Sequence, residues 1–273
     1  KHSVKGIIME FDSNDYSNNS YMLAGREELN RMLETREVDF AFQPITRRDG
    51  SVFGYELLMR PNFTNLKGIK EVLNLARAQA KLTQMETVTW YAGLKAVEKQ
   101  DQAGALGQTE RLFINSIASV SLRREDSEYM DQRWHELRRQ MVIEITEEEE
   151  INHEALEAKR HVPGFSGMFA LDDYGSGFAN ENSLLELSPR FIKVDIAIIR
   201  GIDTDPDKQQ IVQNIVAYAH PRSMQIIAEG VETAEELKKV LELGVDGLQG
   251  YFLAKPANIP TRIAPAARQI IEN

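Results

Sequence analysis

The chain contains no cysteine. That excludes disulfides and thiolate metal sites, and it suits a reducing cytosol. No run approaches eighteen apolar residues and no signal-peptide pattern opens the chain, so no segment reads as membrane-spanning. Positive charge is in short supply: 32 Lys and Arg stand against 42 Asp and Glu, a net charge of −10. Such a balance argues against a surface for DNA or RNA polymers. A small phosphate ligand stays open, because a bound metal can invert the local charge. The histidines at 2, 135, 153, 161 and 220 lie away from the strand ends identified below and receive no role. What is present is ordinary for a globular protein: 42% hydrophobic and 27% charged residues. A chain of 273 residues can bury about 75% of its unfolded surface, enough for one large domain.

One stretch organises the rest: Met168-Phe-Ala-Leu-Asp172-Asp173-Tyr-Gly175-Ser-Gly177-Phe178. Four apolar residues after a Pro163-Gly164 turn signal read as a buried strand. It ends in two adjacent carboxylates and breaks into a glycine-rich loop. Successive strand residues point to opposite faces. One aspartate can therefore reach a site from the strand end while the other turns into the loop and reaches it from above. Two acids at a buried strand tip are costly unless something positive sits between them.

From Asp39 onward a unit repeats: a short apolar run ending in a polar residue, then a helical stretch. The runs are Phe40–Gln43, Gly54–Arg60, Leu112–Asn115, Val142–Thr146, Met168–Asp173, Phe191–Asp195, Gln225–Glu229 and Gly247–Tyr251. Most are near-continuous, as strands covered on both faces should be. Thr233-Ala-Glu-Glu236 is a capping box for a helix that Gly244 stops. Residues 207–220 carry helical spacing at Ile211, Val212, Ile215 and Val216. Between the first two strands lies only Thr46-Arg-Arg-Asp49-Gly50-Ser51, which makes a hairpin but not a parallel crossover. The expectation is an α/β (β/α)8 barrel with its first strand antiparallel. An open doubly wound sheet is the alternative, but no dinucleotide fingerprint is present. Residues 1–35 read as the tail of an upstream domain plus a linker helix, and 36–273 as the barrel.

In such a barrel the C-terminal strand ends share one mouth. Reading them off gives Glu56, Asn115, Glu144, Asp172, Asp173, Lys193, Asp195, Glu229 and Gln249. Each alone reads as a capping or solvated residue; together they crowd carboxylates onto one rim. At about 5 Å and an effective dielectric of about 20, each like-charge pair repels by roughly 3 kcal/mol. The cluster therefore calls for cations, and all-oxygen ligands favour Mg²⁺ or Mn²⁺. Hard divalent ions held by acids beside a lysine point to a metal-dependent hydrolase or lyase of an anionic substrate.

These residues stand in ordered motifs: Gln43-Pro44-Ile45, Glu56-Leu-Leu58-Met-Arg60, Phe113-Ile-Asn115, Glu144-Ile-Thr146-Glu147, Asp172-Asp173-Tyr-Gly-Ser-Gly, Lys193-Val-Asp195, Ala228-Glu229-Gly-Val-Glu232-Thr and Gln249-Gly-Tyr251. In them, from residue 39 to about 257, the chain resembles the EAL-domain family of bacterial phosphodiesterases, which open cyclic di-GMP to linear 5′-pGpG. The resemblance implies a barrel with an antiparallel first strand and two divalent ions per site. It implies that Glu56, Asn115, Glu144 and Asp172 hold one metal, with Asp172 bridging to a second that Asp173 also binds. Glu229 resembles a metal-site or general-base carboxylate, and Lys193 the residue that orients the attacking water. Gln43 and Arg60 resemble substrate contacts, Gln249 a supporting residue at the site, and Glu147 the acid that anchors the loop after Asp173.

Leu57 stands where the family usually has alanine. Facing the site it narrows the guanine pocket; on the opposite face it is core. Tyr174 and Ser176 replace the usual Phe and Thr, and no implied metal ligand is missing. The first eleven residues resemble the last strand of a GGDEF diguanylate cyclase domain, which makes such a domain an expected upstream partner. Homodimerisation and a cytoplasmic location complete the expectations. A non-catalytic cyclic di-GMP receptor is the alternative to the enzyme.

Overall fold

The computed structural model describes residues 25–107, 109–146, 151–176 and 181–272. Three sequence expectations fall outside them: the resemblance of the first eleven residues, the role of Glu147, and the loop from Gly177 onward.

Eight strands close a barrel in chain order. They are β1 (Asp39–Arg47), β2 (Val52–Arg60), β3 (Arg111–Asn115), β4 (Met141–Thr146), β5 (Phe169–Tyr174), β6 (Phe191–Val194), β7 (Gln225–Ala228) and β8 (Gly247–Leu248). β1 runs antiparallel to both β2 and β8, and β2 to β8 are mutually parallel. The hairpin that reverses β1 turns where the sequence places it. Gly50 adopts φ +76°, and Asp49 accepts hydrogen bonds from the Ser51 amide at 2.8 Å and its hydroxyl at 2.6 Å. An Asx-type turn of this kind needs the short aspartate and the left-handed glycine together. The barrel with one reversed strand is thus the architecture the sequence predicts.

Helices cover the outside: α1 (residues 25–35), α2 (Ile69–Ala78), α3 (Leu82–Gln102), α4 (Arg124–Arg138), α5 (His153–Arg160), α6 (Glu181–Leu187), α7 (Ile196–Ile199), α8 (Pro206–Ala219), α9 (Ala234–Glu242) and α10 (Pro265–Ile271). Among the described residues none is long and apolar enough to cross a membrane. α9 opens with the predicted capping box, Thr233 accepting from the Glu236 amide at 3.1 Å while Glu236 accepts from that of Thr233 at 3.1 Å. On α8, Val212 and Ile215 are buried but Ile211 is 43% exposed. The buried stripe centres on Val212, Ile215 and Ala219, so Ile211 falls on its flank. α1 buries Leu29 and Met32 against Val72, Leu75, Met85 and Val88 of α2 and α3; burial of each such side chain contributes about 1.5–3 kcal/mol.

Two cores result from strand alternation. Outward residues such as Phe42, Leu57, Ile114, Ile143 and Leu171 pack under the helices. Leu57, 2% exposed in that outer layer, is therefore a core residue and does not face the mouth. Inward residues Ile45, Phe113, Val142, Ala170, Phe191 and Ile227 fill the barrel. Phe113 and Phe191 meet across it with ring centroids 5.2 Å apart. This layer is the floor of the site.

Candidate functional site

Two residues further along the parallel strands, the same alternation that turned Phe113, Val142, Ala170, Phe191 and Ile227 inward turns Asn115, Glu144, Asp172, Lys193 and Glu229 inward. Gln43 lies two residues before Ile45 on the reversed β1, and Gln249 two after Gly247. An apolar floor thus becomes a polar layer within one pleat, and the sequence period of two is the cause.

Lys193 is the hub. Its Nζ lies 2.6 Å from Glu144, 2.8 Å from Glu229, 2.9 Å from Asp172 and 3.5 Å from Glu56, with 1% of the side chain exposed. Burial alone would lower its pKa. The surrounding Asp172, Glu144, Glu229 and Glu56 outweigh burial and hold it well above the ordinary lysine value. The four acids thus favour the ammonium form. Burial pushes Glu144 well above the usual carboxylate range, with Glu56 and Asp172 adding to the push and Lys193 opposing it. Glu229 moves the same way, by desolvation first, against Lys193 and with Asp172 and Glu56.

The amides tie the layer together. Asn115 donates through Nδ2 to Glu56 at 3.4 Å and to Glu144 at 3.3 Å. Gln249 donates to Glu56 at 2.5 Å and to the Gln43 oxygen at 3.2 Å, while Gln43 donates to the Ala254 carbonyl at 3.2 Å. Gln43 and Gln249 are both buried and locked into this lattice.

Asp173 reaches the layer by a different device. Between Leu171 and Tyr174 the β5–β6 register shifts, three steps along β5 facing two along β6. Asp173 sits in this bulge with φ +56°, the left-handed region that aspartate tolerates better than most residues. Its carboxyl is pushed up to about 6, by burial first and by Asp172 next, with Lys193 opposing.

Two groups of carboxylates result, Glu56–Glu144–Asp172 and Asp172–Asp173–Glu229. In each, one oxygen per residue lies within 4.8 Å of the others. Asp172 belongs to both. Among the described residues five carboxylates gather around a single ammonium, and Glu144 Oε1 and Asp172 Oδ1 meet no donor other than Lys193 Nζ. Buried carboxylate oxygens that outnumber their donors, in an all-oxygen set of this size, fit hard divalent cations. Two such ions would supply the charge that one lysine leaves unbalanced.

Arg60 is not drawn into the layer. It is exposed at the end of β2, where its guanidinium donates to the Met59 carbonyl at 3.1 Å. Asp195 caps α7, accepting from the Ala197 amide at 2.8 Å. Glu236 does more than complete the helix cap that the sequence predicts. Its carboxylate also accepts from the Gly201 and Glu232 amides, at 2.9 and 2.8 Å, and so ties the segment just after Glu229 to the turn after α7. A buried capping glutamate in a strand-to-helix turn was the available signal.

Comparison with known proteins agrees with this geometry. The cyclic di-GMP phosphodiesterase RocR of Pseudomonas aeruginosa is 26% identical over 233 residues, 83% of this chain and 59% of RocR. The chain thus spans only part of the length of the curated relatives it matches. The cyclic di-GMP-bound structure of a standalone EAL protein from Vibrio cholerae superposes with a TM-score of 0.68 at 23% identity, covering 85% of this chain and 97% of that one. The manganese and cyclic di-GMP complex of BlrP1 from Klebsiella pneumoniae gives 0.68 at 25% identity, covering 83% of this chain and 58% of BlrP1. The EAL domain itself matches residues 26–256. This chain belongs to the EAL-domain family.

Proposed function

We propose that the chain is a metal-dependent phosphodiesterase that hydrolyses cyclic di-GMP to linear 5′-pGpG, using two Mg²⁺ or Mn²⁺ ions. The observation that carries this reading is Asp172, shared by two carboxylate groups at the barrel mouth. One shared carboxylate between two hard-ion sites is the arrangement of two-metal phosphoester hydrolysis. Relatives named as cyclic di-GMP phosphodiesterases, and a relative solved with manganese and cyclic di-GMP, support the substrate and the metal class.

Glu56, Asn115, Glu144 and Asp172 would hold one ion, and Asp172 and Asp173 the other, with Glu229 beside them. When bound, the ions supply a water of lowered pKa and charge stabilisation at the phosphoryl oxygens. The chain's own residues do the rest. Lys193, whose ammonium form its four acids favour, orients the attacking water and offsets negative charge developing on the phosphate. Glu229 accepts the water's proton. Gln249 keeps Glu56 in place, and Gln43 and Arg60 face the dinucleotide, Arg60 through the bidentate fork that a phosphate accepts. One water adds across one P–O3′ bond: its oxygen joins phosphorus, the 3′ oxygen leaves with a proton, and the product carries a 5′ phosphate.

We assign catalysis to residues 36–273, with 1–35 as the tail of an upstream domain and its connecting helix, a GGDEF domain being the candidate. The cytoplasm is the assigned compartment, on the absence of cysteine and the nucleotide substrate, and a homodimer the assigned assembly. The test is incubation of metal-stripped protein with cyclic di-GMP and Mg²⁺ or Mn²⁺, followed by chromatography. Linear 5′-pGpG formed only with metal is the expected result. Binding of the dinucleotide with no product under either metal would overturn the enzyme reading and leave a receptor.

A further inference from the structure

A second buried charge pair lies outside the site, and nothing in the catalytic arrangement above uses it. Glu86 on α3 is 0% exposed and Lys159 on α5 is 1% exposed, and their carboxylate and ammonium are in direct contact. Packing alone does not call for the pair, since well-packed apolar side chains usually serve a core as well or better. The carboxylate has further work, however. It accepts from the Ser116 hydroxyl at 2.5 Å and from the Ile117 amide at 2.9 Å. Those two residues follow Asn115, the last residue of β3. The Ser116 amide donates in turn to the Glu144 carbonyl at 3.0 Å. The chain leaving Asn115 is therefore held by Glu144 on one side and by Glu86 on the other.

Asn115 uses its Nδ2 on Glu56 and Glu144, which leaves Oδ1 as the atom able to serve a cation. Rotation of the backbone at 116 and 117 would swing that oxygen away. We propose that Glu86, held by Lys159, is a positioning residue for Asn115, setting the turn after β3 so that the amide oxygen faces the carboxylate layer. This inference rests on the metal-dependent reading above. It concerns an acceptor function: the acid receives two donors that no apolar residue can receive, and the buried lysine balances its charge. Partners of metal ligands commonly matter at this level, their loss weakening metal binding by about 10–100-fold.

The test compares two charge-free doubles by calorimetric Mn²⁺ titration, with no turnover required. E86L/K159M keeps a packed core and removes the acceptor. E86Q/K159M removes the charges and retains an amide oxygen for the Ile117 amide, while its NH2 can donate to the Ser116 hydroxyl. The first is expected to fold with an unchanged or raised Tm and to bind Mn²⁺ about tenfold more weakly. The second is expected to bind within about twofold of the unsubstituted protein, because the acceptor is restored. Ser116→Ala leaves the ion pair whole and should weaken Mn²⁺ binding by up to about fivefold; it carries the test if the leucine double does not fold. Unchanged affinity in E86L/K159M, or in Ser116→Ala where that variant carries the test, overturns the inference. So does a glutamine double as weak as the leucine double. Those outcomes presuppose that the unsubstituted protein binds Mn²⁺. If it neither binds Mn²⁺ nor cleaves cyclic di-GMP, the metal-dependent reading itself falls, and this inference with it.

Discussion

Asp172 and Asp173 are consecutive in one strand, yet both place a carboxylate oxygen within 4.8 Å of Glu229. In a regular strand adjacent side chains diverge to opposite faces. Here the bulge between Leu171 and Tyr174, with Asp173 at φ +56°, rotates the second aspartate back toward the first. The two negative charges are thereby brought together at the expense of mutual repulsion, which shows as the rise of Asp173 to about 6, driven by burial first and Asp172 second. A fold that keeps such a pair close is built to receive a cation between them.

The bulge makes Asp173 separable from its charge. Asp173→Asn should keep the turn, because asparagine also tolerates left-handed backbone, and should match or exceed the parent Tm in metal-free buffer. Asp173→Val should lose about 1–2 kcal/mol, since a β-branched residue at positive φ is strained. Both should weaken the second of two Mn²⁺ binding steps more than the first. Equal stability of the two variants would show that the bulge does not depend on this residue.

Glu56→Ala and Asp172→Ala are each expected to abolish hydrolysis of cyclic di-GMP with the fold intact. Each removes one carboxylate from the five crowded around Lys193, so metal-free stability should hold or rise. Circular dichroism melts and product chromatography on the same preparations check both halves. Parent-level turnover in either variant would remove that residue from the site.

Lys193→Met should act in the opposite sense. The ammonium touches four carboxylates at 2.6–3.5 Å, and its loss leaves them buried together without a counter-charge. Removing one partner of a buried ionic group typically costs about 3–5 kcal/mol. Metal-free Lys193→Met should melt well below the parent, and Mn²⁺ should raise its Tm by more than it raises the parent's. An equal metal response in the two proteins would mean that lysine and metal do not share one charge-balancing task.

Tyr55 gives the pH prediction. It is 3% exposed, its hydroxyl donates to the Thr261 carbonyl at 3.2 Å, and its pKa is pushed up to about 12, by burial first and Glu110 next, against Arg262. An unfolded tyrosine ionises near pH 10. The stability Tyr55 contributes is therefore fully present below about pH 10 and is lost as pH rises through 12, a change of roughly 2 kcal/mol. Tyr55→Phe forgoes the hydrogen bond and should be about 1 kcal/mol less stable at pH 8. By about pH 11.5 that gap should close or reverse, as read from urea midpoints across the range. A gap that does not change with pH would mean that Tyr55 ionises as freely folded as unfolded.

The sequence alone determined the barrel, its reversed first strand and which acids and amides meet at its mouth. Strand and helix periods, the Asp49-Gly50 turn and the ordered motifs are local signals, and a strand's period of two fixes which residues share a face. Once Phe113, Val142 and Phe191 point inward, Asn115, Glu144 and Lys193 must follow. Other features depended on which strands and helices lie side by side. Leu57 could be core or pocket until the β2 register turned it under the helices. Arg60 shares a strand with Glu56 but stands outside the carboxylate layer, because it lies at the strand's end and the closed barrel does not constrain it there. That Lys193 would touch four acids at once and that Glu86 would meet Lys159 beside Asn115 were decided only by tertiary structure. Each joins residues dozens of positions apart, and such contacts come from closing the barrel and packing its helices, which no local pattern encodes.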